Sequence, residues 1–406
     1  MSNLKIVEGG VCSAKGFRAA GVPAAIKYEG RKDVALIVAD EPCVAAAVFT
    51  TNKVAAAPVV YDREIIAGGV VQAILANSGC ANACTGVEGL RDARVSALAT
   101  AGELGIAPEH VLVASTGVIG RRLPLDRLLA GMKSAANSLA ATPESALAAE
   151  QAVMTTDTRP KQACATVEID GKLVTVGGMA KGSGMIEPNM ATMLGFITTD
   201  VAISWEMLKR ALKLSLEKSF NRVVVDGDES TNDSLFIMAS AKAGNREITR
   251  AGDAFTSFCM ALDAVCISLA RQMATDGEGA TKFVTVRVKG AKSKREAEKA
   301  ARAVAKSPLA KTSWFGKDPN WGRVLAAVGY SGADVVDMRA EVFYDDVWAF
   351  RRGEVADDAQ LELLAEVMKK DAFEVVVDLH LGKAEAAIYT CDFSLDYVHI
   401  NADYTT

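Results

Sequence analysis

The sequence predicts a mixed α/β (α+β) fold, with a larger domain of stacked sheets and helices over residues 1–280 and a smaller α+β domain over residues 281–406. Three observations predict it. Apolar runs of strand length, punctuated by Gly, Pro and Asn, alternate with stretches of helical spacing along the chain. Asp170-Gly171 sits between two such runs, the pairing expected of a tight hairpin. After Thr275-Asp276-Gly277-Glu278-Gly279 the texture shifts to an alternating strand followed by a highly charged helix, which sets the boundary near residue 280.

Taken in order, residues 34–38, 45–50 and 70–76 are apolar strands, and 90–104 has helical spacing. Residues 111–114 form a buried strand ended by the turn Ser115-Thr116-Gly117. Residues 125–140 and 144–154 are Ala-rich helices, the second opened by Pro143. Residues 165–169 and 173–176 are the hairpin strands around Asp170-Gly171. Residues 177–190, rich in Gly and Met and carrying Pro188, are expected to be a loop, and 192–197 to re-enter the core as a strand. A helix over 205–220, strands over 222–225 and 235–239, and a long amphipathic helix over 253–274 follow. The smaller domain is expected to contain a strand at 283–288, a helix at 294–306, and strands at 324–328 and 373–379.

Composition narrows the function. Half of the 406 residues are hydrophobic and 23% are charged, so there is ample core. The net charge of −5 disfavours nucleic acid and anionic membranes as partners. None of the eight cysteines forms a C-x-x-C pair, which disfavours a zinc ribbon and fits reduced thiols in the cytoplasm. The opening MSNLKIVEGGVCSAKGF lacks a charged-then-apolar leader pattern, and the apolar run 65–76 is too short for a bilayer of roughly 30 Å. A soluble cytoplasmic protein is expected.

Only three histidines exist, His110, His380 and His399, and none lies in a Gly-rich or polar cluster. That disfavours Ser-His and Cys-His nucleophiles and histidine-based metal sites; no metal is expected. The segment GGMAKGSG at 177–184 fails as a Walker loop, because Lys181 precedes Gly182, and as a dinucleotide fingerprint, because Glu187 stands where the third Gly belongs. Asp226, Asp228, Asn232 and Asp233 lack the spacing of a calcium loop and read as turn hydrogen bonding. Cys80 and Cys84 read as packing residues.

A hydroxyl nucleophile without histidine needs another base, and the α-amine of an N-terminal Thr supplies one, with a reference pKa of roughly 7.7–8.0. Here such a Thr would have to be exposed by internal cleavage. The stretch KGSGMIEPNMATML at 181–194 suits that chemistry: Ala191 is small, Gly182 and Gly184 are permissive, Pro188 stiffens the approach and Thr192 begins a strand. By pattern alone, an ordinary Thr at a strand start remains the commoner reading.

This same stretch resembles the self-processing motif of the ornithine acetyltransferases, also called glutamate N-acetyltransferases, of arginine biosynthesis. Further matching motifs follow in order along nearly the whole chain: NSGCANACTG at 77–86, STGVIG at 115–120, MTTDTRPK at 154–161, VDGDESTND at 225–233, FGKDPNWGR at 315–323 and DYVHINADYTT at 396–406. The resemblance implies cleavage of the Ala191–Thr192 bond, giving fragments 1–191 and 192–406 that stay associated, two copies of each. It implies Thr192 as nucleophile, Thr116 and Gly117 as the oxyanion pair, and Thr155, Lys181, Thr192, Glu278, Asn401 and Thr406 as substrate contacts. The implied substrates are N2-acetylornithine and glutamate; no cofactor is implied, and some members also take acetyl-CoA as donor. Chemically, Lys181 suits an α-carboxylate and Glu278 the ammonium group of ornithine. Two readings of other classes are a self-processing aminopeptidase or amidase, which would release free acetate, and a non-cleaving binding protein, which would run as one band near 42.7 kDa.

Overall fold

A computed structural model of the chain describes residues 3–187 and 193–403. Pro188, Ala191, Thr192 and Thr406 lie outside the described residues.

Nine strands of the described residues form one hydrogen-bonded sheet. They are β1 (Lys5–Val7), β2 (Phe17–Val22), β3 (Val34–Phe49), β4 (Val70–Asn77), β5 (Val111–Ser115), β6 (Gln162–Ile169), β7 (Lys172–Lys181), β8 (Leu194–Thr199) and β9 (Ser234–Ala239). Their order is β1-β6-β7-β8-β9-β3-β4-β5, with β2 alongside β3. Only β4–β5 and β8–β9 are parallel. The two runs expected at 34–38 and 45–50 are one strand, β3, with a register shift between Val38 and Cys43. Its first half pairs with β2 and β4; beyond the shift Cys43 and Val44 still pair with β4, and residues 44–49 pair with β9.

That interruption lets the sheet fold over itself, so the expected stacked sheets are two halves of one sheet. Side chains alternate across the pleat. In β3, Ile37 enters the inner layer while Leu36 and Val38 face outward; in β8, Phe196 points inward and Ile197 outward. Met179, Phe196 and Phe236 of one half meet Phe17, Ile37, Ile74 and Leu112 of the other. Helices Trp205–Lys218 and Asp253–Thr275 cover β6–β9 with Leu208, Leu212, Leu262, Val265 and Leu269. Helices Gly86–Leu104 and Leu125–Asn137 cover the other half with Ala93, Ala97, Leu128 and Met132. The result is a helix–strand–strand–helix sandwich, with both sheet faces dry. The helix Pro143–Val153 is capped by Thr142, whose side chain accepts from the Ser145 N–H.

A second sheet holds β10 (Phe283–Ala291), β11 (Glu341–Tyr344), β12 (Val347–Arg351), β13 (Glu354–Val355), β14 (Ala372–Asp378) and β15 (Ala384–Cys391), ordered β13-β12-β11-β14-β10-β15. The helix Lys294–Lys306, capped by Ser293, lays Ala297, Ala300, Ala301 and Val304 on Val284, Val286, Val288 and Ile388.

Three sequence expectations are corrected. Residues 177–181 are not loop: β7 continues to Lys181, bonded to β6 on one side and β8 on the other. Its glycines serve packing; a Cβ on Gly178 would lie 2.6 Å from Ile197 Cδ1. Residues 222–225 are not a strand. Phe220–Arg222 is a 3-10 turn, and the valines after it make one isolated bridge, to Tyr389. Val224 is buried in the core of the second sheet while Val223 and Val225 are buried in the larger one, so this apolar run stitches two cores together. Residues 324–328 belong to a helix, Trp321–Tyr330, in which the Asn320 side chain accepts from the Arg323 N–H. Val324, Ala327 and Val328 sit at helical spacing and all are buried.

Leu262 is fully buried between the long helix and the strands. Leu262→Ala is expected to destabilise the protein by about 2–5 kcal/mol, read from the shift of a chemical denaturation curve.

Candidate active site

Thr116 and Gly117 follow the end of β5. The Thr116 N–H donates to Asn77 O at 2.9 Å, and Ser115 Oγ donates to Asn77 Oδ1 at 2.7 Å. Asn77 Nδ2 reaches Cys80 O at 3.0 Å, and Asn232 Nδ2 spans Ala81 O and Ser115 O at 2.6 and 2.8 Å. The turn is thus tied on three sides by buried amides. Gly117 has φ +128°, and a Cβ there would lie 2.5 Å from the carbonyl carbon of Gly79. Only glycine allows that approach.

Lys181 is the last residue of β7 and is paired with Leu194 of β8. Its side chain is buried, and Nζ donates to Thr116 Oγ1 at 3.1 Å. A hydroxyl that accepts from an ammonium group keeps its own proton for another acceptor. Burial pushes the Lys181 pKa down, and the neighbouring Lys161 adds to this; Asp157, Glu278 and Asp233 oppose it.

Glu278 arrives from the turn after the long helix. Its N–H donates to Ser183 O at 2.9 Å, and its carboxylate accepts from Asn401 Nδ2 at 2.8 Å, on the terminal helix Leu395–Asp403. A Cβ on Gly184 would lie 2.3 Å from Glu278 Cδ, so the glycine at 184 is what lets this carboxylate approach. Thr155 is held by its N–H to Asp157 Oδ2 at 3.0 Å and by Arg31, which donates to the Thr155 carbonyl at 2.8 Å.

Thr116, Gly117, Thr155, Lys181, Glu278 and Asn401, drawn from five separate stretches of chain, line one cavity of about 90 Å3. Thr192 and Thr406 lie outside the described residues, but Met193 is fixed beside the cavity. Its N–H donates to Asp233 Oδ1 at 2.9 Å, and its carbonyl accepts from the Ser234 N–H at 3.0 Å.

Several groups here were not singled out as site residues by the sequence. Thr156, Ser230, Thr231 and Asn232 also line the cavity. Asp233, read from the sequence as a turn residue, is a buried carboxyl pushed well above its usual range by desolvation, with Oδ2 unpartnered among the described residues. Asp226 does act as expected in a turn, accepting the Asp228 N–H at 3.2 Å, and it also accepts the distant Met185 and Ile186 N–H groups. Behind Lys181 lies a buried ion cluster, with Lys161 Nζ 2.7 Å from Asp157 Oδ1 and 2.6 Å from Asp276 Oδ2. Burial alone would raise Asp157, yet Lys161 and Lys181 hold it well below the carboxylate range. The MTTDTRPK and TDGEG stretches contain these residues, but no local periodicity marks them as partners.

The family model described as the ArgJ family matches residues 18–406. The chain belongs to the ArgJ family. It is 51% identical over 403 residues to the arginine biosynthesis bifunctional protein ArgJ of Symbiobacterium thermophilum, covering 98% of this chain and 99% of that one. It is 46% identical over 414 residues to a glutamate N-acetyltransferase of Methanocaldococcus jannaschii, covering 99% and 100%. Among solved structures, an ornithine acetyltransferase complexed with ornithine from Mycobacterium tuberculosis aligns at 41% identity with TM-score 0.44, covering 46% of this ArgJ-family chain and 99% of that chain.

Because of the left-handed φ at Gly117 and its contact with Gly79, Gly117→Ala is expected to cost more than about 1 kcal/mol of stability, visible as a lowered melting temperature.

Proposed function

We propose that this chain cuts itself between Ala191 and Thr192 and then carries the acetyl group of N2-acetylornithine to glutamate on the Thr192 hydroxyl. The observation that carries this reading is the gathering of Thr116, Gly117, Thr155, Lys181, Glu278 and Asn401 at one cavity, next to the fixed backbone of Met193. The names of the relatives, an arginine biosynthesis bifunctional protein and a glutamate N-acetyltransferase, support it.

In the self-cleavage, the Thr192 hydroxyl attacks the Ala191 carbonyl. The C–N bond breaks, the acyl group moves to oxygen, and water opens the ester to leave a free Ala191 carboxylate and a Thr192 α-amine. In the transfer, Thr192 Oγ attacks the acetyl carbonyl while the α-amine takes the hydroxyl proton. The developing oxyanion is met by the Thr116 hydroxyl and the Gly117 N–H; loss of one such donor typically costs about 2.7–4 kcal/mol. The acetyl C–N bond then breaks, and the leaving ornithine amine receives the proton. The neutral α-amine of glutamate attacks the acetyl ester, and the displaced Oγ regains a proton through the same α-amine.

Lys181 pairs with the substrate α-carboxylate and Glu278 with the ornithine side-chain ammonium. Thr155, Asn401 and Thr406 complete the substrate contacts. Acetyl-CoA serves as a second acetyl donor, which the bifunctional names of relatives support. No cofactor takes part, the fragments assemble as two copies of each, and the enzyme works in the cytoplasm.

Intact-mass measurement is expected to find fragments 1–191 and 192–406 for the unsubstituted protein and one uncut chain near 42.7 kDa for Thr192→Ala. A Thr192→Ala variant that still matures and still exchanges acetyl groups would end this reading. Glu278→Gln is expected to raise KM for acetylornithine about tenfold with less effect on glutamate, since it removes a charge-assisted contact made only to the ornithine side chain; steady-state kinetics with each substrate checks it.

A further inference from the structure

The contacts assigned to the substrate stand on separate segments. Thr155 follows the helix Pro143–Val153, Lys181 ends β7, and Glu278 follows the helix Asp253–Thr275. Among the described residues, side-chain carboxylates and one ammonium group tie the three together. Asp157 accepts the Thr155 N–H on Oδ2 at 3.0 Å and the Gly182 N–H on Oδ1 at 2.7 Å. Oδ1 also takes Lys161 Nζ at 2.7 Å, and the same nitrogen reaches Asp276 Oδ2 at 2.6 Å. Asp276 receives the Thr158 hydroxyl and the Thr158 and Arg159 N–H groups, and its backbone carbonyl accepts from Ser183 Oγ at 2.6 Å. Ser183 O in turn takes the Glu278 N–H.

We propose that Asp157 is a positioning residue for substrate binding, which with Lys161 and Asp276 forms a buried clamp setting Thr155, Lys181 and Glu278 relative to one another. This rests on the reading that Lys181 binds the substrate carboxylate. Asp157 acts twice. Its two oxygens fix the backbones beside two contacts, and its charge opposes the lowering of the Lys181 pKa by burial. The titratable groups facing Lys181 are Asp157, Lys161, Glu278 and Asp233, with Glu150 behind the clamp; burial pushes the carboxyls of Asp233 and Glu150 well above the usual range. Of these, Lys161 works with burial against the charge. Removing the Asp157 charge therefore lowers the Lys181 pKa, so the ammonium form is lost at a lower pH, and carboxylate binding with it.

The test is kcat and KM for N2-acetylornithine against pH in processed wild type, Asp157→Asn and Lys181→Met, with circular dichroism as the check on folding. Asp157→Asn is expected to raise KM about tenfold while kcat at saturation changes less than about threefold, and to move the alkaline limb of kcat/KM to lower pH. Lys181→Met is expected to raise KM and remove that limb. If Lys181→Met raises KM while folded Asp157→Asn keeps the wild-type KM and limb, the clamp proposal is overturned and the Lys181 reading stands. A lowered melting temperature alone, with KM and limb unmoved, is the same negative result. If Lys181→Met leaves KM unchanged, the reading and the proposal fall together. Should Asp157→Asn not fold, Lys161→Arg takes its place: it keeps the charge but displaces the segments, so KM rises with the limb in place, and a wild-type KM there overturns the proposal.

Discussion

Lys161 is 1% exposed, and its ammonium group lies between two carboxylates under the floor of the cavity. An ammonium ion so placed is far costlier than one at the surface, and its presence is tolerable only because both carboxylates and the backbone amides around them complete the hydrogen bonding. Burial alone would push the Lys161 pKa down; Asp157 and Asp276 more than reverse this. Breaking a buried ion pair by removing one partner typically costs about 3–5 kcal/mol, because the other charge stays behind unpaired. The clamp is therefore a poor place for economy and a good place for definition. Its partners are fixed by direction as well as charge, and they join the stretch 154–161 to the turn at Asp276.

The second constraint is the bend in β3. The strand pairs with β2 before the register shift between Val38 and Cys43 and with β9 after it, while β4 runs beside it across the shift, so one strand belongs to both halves of the sheet. The parallel pairing of β8 with β9 sets Leu194 opposite Ser234, and the Asp233 carboxylate then receives the Met193 N–H just outside the ladder. The backbone at Met193 and Leu194 is thus anchored by a buried carboxyl and by sheet pairing. The turn at Thr116–Gly117 is held independently by Asn77 and Asn232. Rigid anchoring of the two sides separately is what a site needs if donors must await a charge that exists only in passing.

The second sheet adds to this arrangement through its last elements. Asn401 on the terminal helix donates to the Glu278 carboxylate. Val224, in the smaller core, takes the Tyr389 carbonyl through its N–H. Lys311, fully buried, donates to Thr390 and to the Cys391 carbonyl where β15 ends. The strand leading to the terminal helix is thereby held within the smaller unit by Lys311 and joined to the larger one through Val224.

Local pattern made much of the fold readable. Helical spacing marked the helices at 205–220, 253–274 and 294–306, and Asp170-Gly171 marked a hairpin whose turn residues have φ of 52° and 72°. Pattern failed where tertiary contacts set the outcome. The glycines at 177 and 178 read as loop because glycine is usually a breaker; they lie in a central strand because neighbouring side chains and backbone leave no room for a Cβ. The valines at 223–225 read as a strand because they are apolar; they are apolar because two cores claim them.

For the site, the family resemblance carried by the motifs is what singled out Thr192, Thr116, Gly117 and Lys181, since by local pattern alone Thr192 reads as an ordinary Thr at a strand start. Which groups share a cavity, that Lys181 touches Thr116, that Gly184 makes room for Glu278, and that Lys161 joins Asp157 to Asp276 across more than a hundred residues were decided only by the tertiary structure. The reason is physical. A hydrogen bond or ion pair depends on a few ångströms of separation and on desolvation, and neither quantity is carried by the order of residues along a chain.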